Sequence, residues 1–475
     1  MGHGYKFKNL CSLKRKLSKN NLEREVLGIK NDKEEKQMKS EERQEQMFSS
    51  WLAGQGIEFA SPEAEKSYKE RVMRLKDAIQ LRKVPDRVPV CPITGLFPVY
   101  YSGITVQDAM YDYDKAAVAW KKYVLDFEPD AYLGTAFVPP GRFFEILDYK
   151  LYRWPGHGVP PDISYQCLEA EYMKADEYDA LIHDPSDFWV RLYFPRIFGA
   201  LKPFEKLAPL TDVLEIVMTC GSFIPFGFPE VQAAFKAVFE AGDEVLRWAS
   251  MVRAVDQALQ GQGFPAFFGG VGKAPFDIIG DTLRGTHGII IDMYRQPEKL
   301  LEALEAVAPL AIRMGVSSAK AAGHPLVFMP LHKGADGFLS GKQFKTFYWP
   351  TLRKVIIGLI EEGLVPFLFA EGGYNSRLEV IRDLPRGTTV WLFDQTDMAK
   401  AKEILGDIAC IAGNVPITLL TFGTPEEIKD YCKQLIKTAG KDGGFILSSG
   451  AVIDDIKPEN MRALIESAKE FGTYY

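Results

Sequence analysis

The chain has 475 residues, 47% of them apolar and 25% charged, which is enough to bury a large core and excludes a wholly disordered protein. Its formal net charge of −6, with no basic-aromatic stretch, argues against nucleic acid as a partner. The six cysteines (Cys11, Cys91, Cys167, Cys220, Cys410, Cys432) are scattered without a C-x-x-C pair. That spacing fits a reducing cytoplasm, with neither a disulfide framework nor a zinc knuckle. No apolar run reaches the roughly 18–20 residues of a membrane span, and the lysine-rich start has no apolar core of a secretory signal.

Residues 1–60 mix lysine and glutamate densely, as in Lys33-Glu34-Glu35-Lys36, and are expected to be a charged extension, disordered or a solvated helix. From Pro62 the period is helical, with Tyr68, Val72, Leu75 and Ile79 on one face. Short apolar runs at 88–91 and 131–133 read as the first two strands. Residues 139–264 are too long for a simple crossover and are rich in aromatics, Gly and Pro, so they are expected to be an insertion forming a lid or wall. A third strand is expected at 266–269, and then five more at 327–331, 367–370, 390–393, 408–412 and 445–447. These runs lack polar alternation, as strands do when helices cover both faces of a parallel sheet. The predicted fold is therefore α/β: a (β/α)8 TIM barrel spanning 61–475, with a long insertion after the second strand and a polar N-terminal extension.

The last five runs each end in polar residues: His332-Lys333, Glu371, Asp394, Asn414 and Ser448-Ser449. A sheet built only for stability has no reason to place ionisable groups there, whereas a barrel enzyme builds its site at those ends. Glu371, His332 and Asp394 are the candidate catalytic set. Two carboxylates and an imidazole suit either a general acid and base with separated pKa values or a hard metal ion. Lys333 and His157 are candidates for substrate contact, and Asn414 and Ser448 for hydrogen bonds to it. The bland alternatives are an ion pair for Glu371, a helix cap for Asp394, a turn cap for His157 and backbone satisfaction for Asn414 and Ser448.

Several stretches together resemble the uroporphyrinogen decarboxylase superfamily. They are Trp154-Pro155-Gly156-His157-Gly158, Glu171-Tyr172-Met173-Lys174, Lys273-Ala274-Pro275-Phe276, Gly280-Asp281-Thr282-Leu283-Arg284-Gly285 and Ser448-Ser449-Gly450-Ala451-Val452-Ile453-Asp454. The resemblance implies the same barrel and one of two chemistries, decarboxylation of a porphyrinogen or methyl transfer involving a corrinoid, the latter usually with zinc. The arginine-rich segment of the decarboxylases is replaced by Pro92-Ile93-Thr94-Gly95-Leu96-Phe97-Pro98, and their catalytic aspartate by Gly134-Thr135-Ala136-Phe137. The His-x-Cys zinc motif of the methyltransferases reads Phe369-Ala370-Glu371 here, and their late cysteine is replaced by Ser449. No Asp-x-His-x-x-Gly motif is present, so any corrinoid would arrive on a separate protein.

The expectation is a corrinoid-linked methyltransferase or demethylase component acting on a small methylated substrate. A metal at Glu371, Asp394 and His332 stays open. The alternatives are a decarboxylase of another carboxylated substrate and a non-catalytic binding module of a methyl-transfer complex.

Overall fold

The computed structural model describes residues 39–474, so residues 1–38 of the expected extension lie outside it. In chain order the strands are β1 (Tyr152–Pro155), β2 (Gly158–Val159), β3 (Gln166–Cys167), β4 (Gly270–Val271), β5 (Leu326–Leu331), β6 (Val365–Ala370), β7 (Val390–Phe393), β8 (Cys410–Val415) and β9 (Phe445–Ser449). Strands β4 to β9 form one six-stranded sheet in sequential order, parallel throughout. The architecture is α/β, as the apolar runs implied.

The ladder does not continue through the segments expected to be strands one to three. Val90 makes a single parallel bridge to Leu447, and Tyr132 one to Ala266. Pro89 and Pro92 deprive the first segment of N–H donors, and the second has only three apolar residues, which limits both to isolated pairings. The interior nonetheless draws on all eight segments: Cys91, Leu133, Phe267, Phe328, Phe367, Leu392, Ala412 and Ile446 share one buried cluster. The alternate residues, such as Val90, Tyr132, Met329, Leu368 and Trp391, belong to a second cluster. Both faces of the sheet are apolar, which is why these strands show no alternation.

Asp130 supplies what the missing ladder does not. Its backbone N–H donates to Val90 O at 3.0 Å, and its carboxylate accepts from Val90 N at 2.8 Å. The carboxylate is buried and takes Arg74 Nη1 at 2.7 Å and Arg87 Nη1 at 2.8 Å. Burial would raise its pKa, but the two guanidinium charges and these hydrogen bonds outweigh that and hold it below the usual carboxylate range.

Two expectations about the outlying segments change. The helix α1 (Ser40–Ala53) is not solvated: Phe48 and Trp51 are buried, and the Trp51 ring lies 4.6 Å from that of His324. Within the expected insertion, β1 to β3 form a small separate sheet. The last part, however, is the 33-residue helix α4 (Pro229–Gly261), preceded by α2 (Pro62–Gln80) and the short α3 (Ile216–Phe223). Val255 and Leu259 of α4 are buried in the main core, so this end of the helix is part of the sheet's cover and not of a lid.

Removing the Asp130 carboxylate leaves half-buried Arg87 without its counter-charge and buried Arg74 with Asp86 alone. Asp130→Ala is expected to lower unfolding free energy by about 3–5 kcal/mol, the cost of breaking a buried pair, read from urea denaturation.

Candidate active site

Three strand ends and one helical turn meet over the interior. Alternation along β5 places Phe328, Pro330 and then His332 on the inner side, and along β6 it places Phe369 and then Glu371 there. After β4, the chain runs through Lys273 into a single α-turn (Pro275–Asp277) and a π-turn (Ile278–Leu283). Asp277 and Asp281, four residues apart on that turn, both reach the end of β5. π-turns of this kind recur at functional sites.

The two aspartates divide the work. Asp277 is fully buried and holds the backbone: it accepts from His332 N and Lys333 N, each at 3.1 Å, and from the Tyr348 hydroxyl at 2.8 Å. Asp281 holds the side chains. His332 Nδ1 donates to it at 2.6 Å, Lys273 Nζ pairs with it at 2.7 Å and Lys333 Nζ at 3.1 Å. Gly280 permits this approach, because a Cβ there would lie 2.8 Å from Lys333 Cε.

Burial tends to raise the Asp281 pKa, but the hydrogen bond from His332 and the charges of Lys273 and His332 keep it well below the usual range. Burial and the Asp281 charge push Asp277 up. His332 is pulled down by burial, yet its hydrogen bond to Asp281 and the charges of Glu371 and Asp281 win and raise it. Its other nitrogen, Nε2, faces Glu371 Oε1 at 3.6 Å, too long for a direct hydrogen bond. The Glu371 side chain keeps 40% of its surface open. Desolvation still raises its pKa, helped by the Asp281 and Asp394 charges and opposed by His332. A carboxyl group with a raised pKa thus stands beside an imidazole whose pKa is also raised and whose orientation a third group fixes.

The remaining candidates behave differently. Asp394 accepts from Gly372 N at 3.0 Å and touches neither His332 nor Glu371 through a hydrogen bond; its charge reaches Glu371 only at longer range. The helix cap that its position suggested is made by Asp397 instead. Lys333 is buried against Asp281, and its Nζ donates to Thr286 Oγ1 at 2.7 Å, so it is a counter-ion and not an open substrate contact. Asn414 lies within β8 and not beyond its end, and donates to Asp394 O at 3.0 Å and Thr396 O at 2.8 Å. Ser448 lies within β9 and donates to Cys91 O at 2.7 Å, tying the last strand to the first segment. His157 stacks on Trp154 at 4.6 Å and bonds Glu145 at 2.9 Å, so its ring is engaged within the insertion and does not join the cluster. Among the described residues no group of three or more His, Cys, Asp or Glu side chains is arranged to hold an ion, and two ammonium groups already serve the central carboxylate.

Asp277, Asp281 and Lys273 were missed as site residues. The signal was present as Asp277-x-x-x-Asp281, two acids at one helical spacing inside an otherwise apolar turn.

Beside this cluster lies a cavity of about 380 Å3, walled by Phe137, Phe144, Tyr149, Tyr152, Tyr165 and Phe328, with Val271 and Pro330 leading from it toward Lys273 and His332. Ala136 and Phe137 therefore contribute an apolar wall where the decarboxylases are expected to carry their aspartate. In the loop after the first segment, where their arginines are expected, Leu96 N instead donates to the Asp454 carboxylate at 2.8 Å. A larger recess of about 700 Å3 opens near Arg284, but that guanidinium is already spent on Asp292 at 2.6 Å and on Met173 O at 2.6 Å.

Residues 239–471 match the family model for uroporphyrinogen decarboxylase (URO-D). This match to just under half of the chain, with the relatives that follow, fits a divergent member of the uroporphyrinogen decarboxylase superfamily. The uroporphyrinogen decarboxylase of Chlorobium phaeovibrioides is 37% identical over 83 residues, 17% of this chain and 23% of that protein. That of Methylococcus capsulatus is 28% identical over 204 residues, 42% of this chain and 56% of that protein. The matched segments thus span between about a quarter and about half of these relatives' length. A methyltransferase from Methanosarcina mazei superposes with a TM-score of 0.54 at 17% identity, covering 85% of this chain and 98% of that one, which shows a shared fold. Among the described residues, no helix is long and apolar enough to cross a membrane.

The pKa directions can be read histidine by histidine. In an NMR titration His332 is expected to deprotonate above 6.5, the usual value, while buried His324, pushed down to about 4 by desolvation, stays neutral until acid pH. Because His332 is raised on folding, its contribution to stability is complete below its unfolded pKa and is lost as pH rises through the folded one. Asp281→Asn is therefore expected to bring the His332 midpoint down and to cost more stability at pH 6 than at pH 9, read from denaturation midpoints.

Proposed function

We propose that this superfamily member is an enzyme of methyl transfer, working on a small methylated substrate seated in the aromatic-walled cavity at the reactive end of a (β/α)8 barrel. The observation that carries the reading is the Glu371 carboxyl group, its pKa raised by desolvation, held 3.6 Å from His332, with the cavity's wall reaching Pro330 two residues before that histidine. A carboxyl group whose pKa is raised by desolvation is a better proton donor to a departing heteroatom, as desolvated acids are elsewhere. The proton leaves Glu371 for that atom as the bond to the methyl carbon breaks. The His332 imidazolium then stabilises the resulting carboxylate and can return a proton to it, while Asp281 keeps the ring in the orientation that presents Nε2. A corrinoid carried by a separate protein would supply the nucleophile that takes up the methyl group. The cavity's rings exclude water from the reacting atoms and provide flat apolar surface for the rest of the substrate.

The decarboxylase reading is favoured by the names of the curated relatives, all uroporphyrinogen decarboxylases. Against it stand the absence of arginine in the loop after residue 91 and the Asp454 carboxylate in that place, which would repel a substrate rich in acid groups.

The test uses the full chain with reduced corrinoid and 2-methoxyphenol as probe, following release of the demethylated phenol by chromatography. Wild-type turnover is expected, with a fall of about 100-fold or more in kcat for Glu371→Gln, the usual contribution of a general acid. Full turnover in that variant would overturn the role of Glu371. Carbon dioxide released from a carboxylated analogue without any corrinoid would instead support the decarboxylase reading.

A further inference from the structure

Lys273 opens onto a second cavity that the chemistry described above does not use. It encloses about 510 Å3 between helix α5 (Pro297–Ala322) and the π-turn at Phe188–Tyr193. One wall is a single face of α5, with Val307, Leu310, Ala311 and Met314 at the i, i+3, i+4, i+7 spacing of one helical stripe. Trp189 and Ile278, one from each π-turn, complete the apolar lining. The charged residues on the lining are Lys273 and Arg313, and no acid lines it. Arg313 is exposed and, among the described residues, has no carboxylate within ion-pairing distance. Lys273 Nζ meets Asp281 Oδ2 at 2.7 Å, which engages one of its three N–H donors.

We propose that this cavity binds a straight-chain carboxylate, with the head group held by Lys273 and Arg313 and the chain laid along the α5 stripe. Small-ligand pockets have volumes of this order, with mostly apolar walls and a few polar groups that fix one end. Two cations on a lining without an acid call for an anion. Asp281 already answers part of the Lys273 charge, so the balance suits the single charge of a carboxylate and not the nearly double charge of a phosphate monoester. Aliphatic walls with an adaptable methionine fit a flexible chain better than a flat ring. The site stands apart from the methyl-transfer reading and does not depend on it. It is nonetheless tied to the acid–imidazole cluster, because Lys273 is a counter-ion of Asp281. A ligand carboxylate drawing on Lys273 leaves the Asp281 charge less compensated where it meets His332.

Isothermal titration calorimetry of the full chain with decanoate tests this. One molecule per chain is expected, bound at least tenfold more tightly than 1-decanol, which has the same chain without the charge. Octanoate leaves two methylenes fewer to bury and is expected to bind about tenfold more weakly than decanoate. Met314→Glu places a like charge against the ligand and is expected to abolish binding, and Arg313→Ala to weaken it at least threefold. Both side chains are exposed, so circular dichroism melting should be preserved in both variants. In protein labelled at histidine, the NMR signals of the His332 ring are expected to move with decanoate in the wild type and to stay in place in Met314→Glu. No binding, 1-decanol binding as tightly as decanoate, or decanoate binding unchanged in Met314→Glu would each overturn the site. Bound decanoate that leaves the His332 signals unmoved would overturn the sharing of Lys273.

Discussion

Three cations converge on one carboxylate, and the site depends on that convergence. Asp281 receives His332, Lys273 and Lys333 at 2.6, 2.7 and 3.1 Å. Without it, an imidazole and a lysine at the end of β5 and a further lysine after β4 would be left in a recessed place with only Asp277 and Glu371 to answer their charge. Their charge would then bear more heavily on Glu371 and lower its pKa. With Asp281 present, the positive charge is largely answered elsewhere. Desolvation then decides the state of Glu371, the better outcome for an acid. The most informative charge in the site is thus one that need not touch a substrate.

The same division of labour recurs where the sheet is weakest. Asp130 does for residues 88–91 and 131–133 what Asp277 does for His332-Lys333: a buried carboxylate accepts backbone N–H groups where the ladder has no partner to offer. A buried acid is costly unless it is saturated with donors, and both are. Asp130 and Asp277 fix backbone at strand margins, whereas the partly exposed Glu371 is less fully bonded. Divergence from the rest of the superfamily follows a related logic. The positions that resemblance assigns to arginines and to a catalytic aspartate are occupied by a neutral loop and by Phe137, while the charged turn after β4 belongs to the stretches that resemble the superfamily.

Apolar runs without alternation located the six-stranded parallel sheet within a few residues, because a strand covered on both faces must be apolar at every position. β7 was placed at its observed bounds, and β5, β6 and β9 within two residues of theirs. The first two strands were legible only as apolar segments; that they pair through single bridges follows from proline placement and from who their neighbours are. The strand-end rule located His332 and Glu371, which do meet. It failed for Asn414 and Ser448, since β8 and β9 run further than their apolar runs and carry those side chains into the ladder, where backbone carbonyls claim them.

Composition and periodicity by themselves determined that this chain folds as a parallel α/β protein with ionisable groups at strand ends, because hydrophobic burial acts on local pattern. Its motifs carried the superfamily. Which ionisable groups meet was decided only in three dimensions. Asp281 and Lys273 reach His332 across a π-turn, Asp394 turns to the Gly372 backbone, and His157 stays in the insertion against Trp154. Electrostatic pairing depends on distances of a few ångströms between residues far apart in the chain, and no one-dimensional pattern encodes those distances.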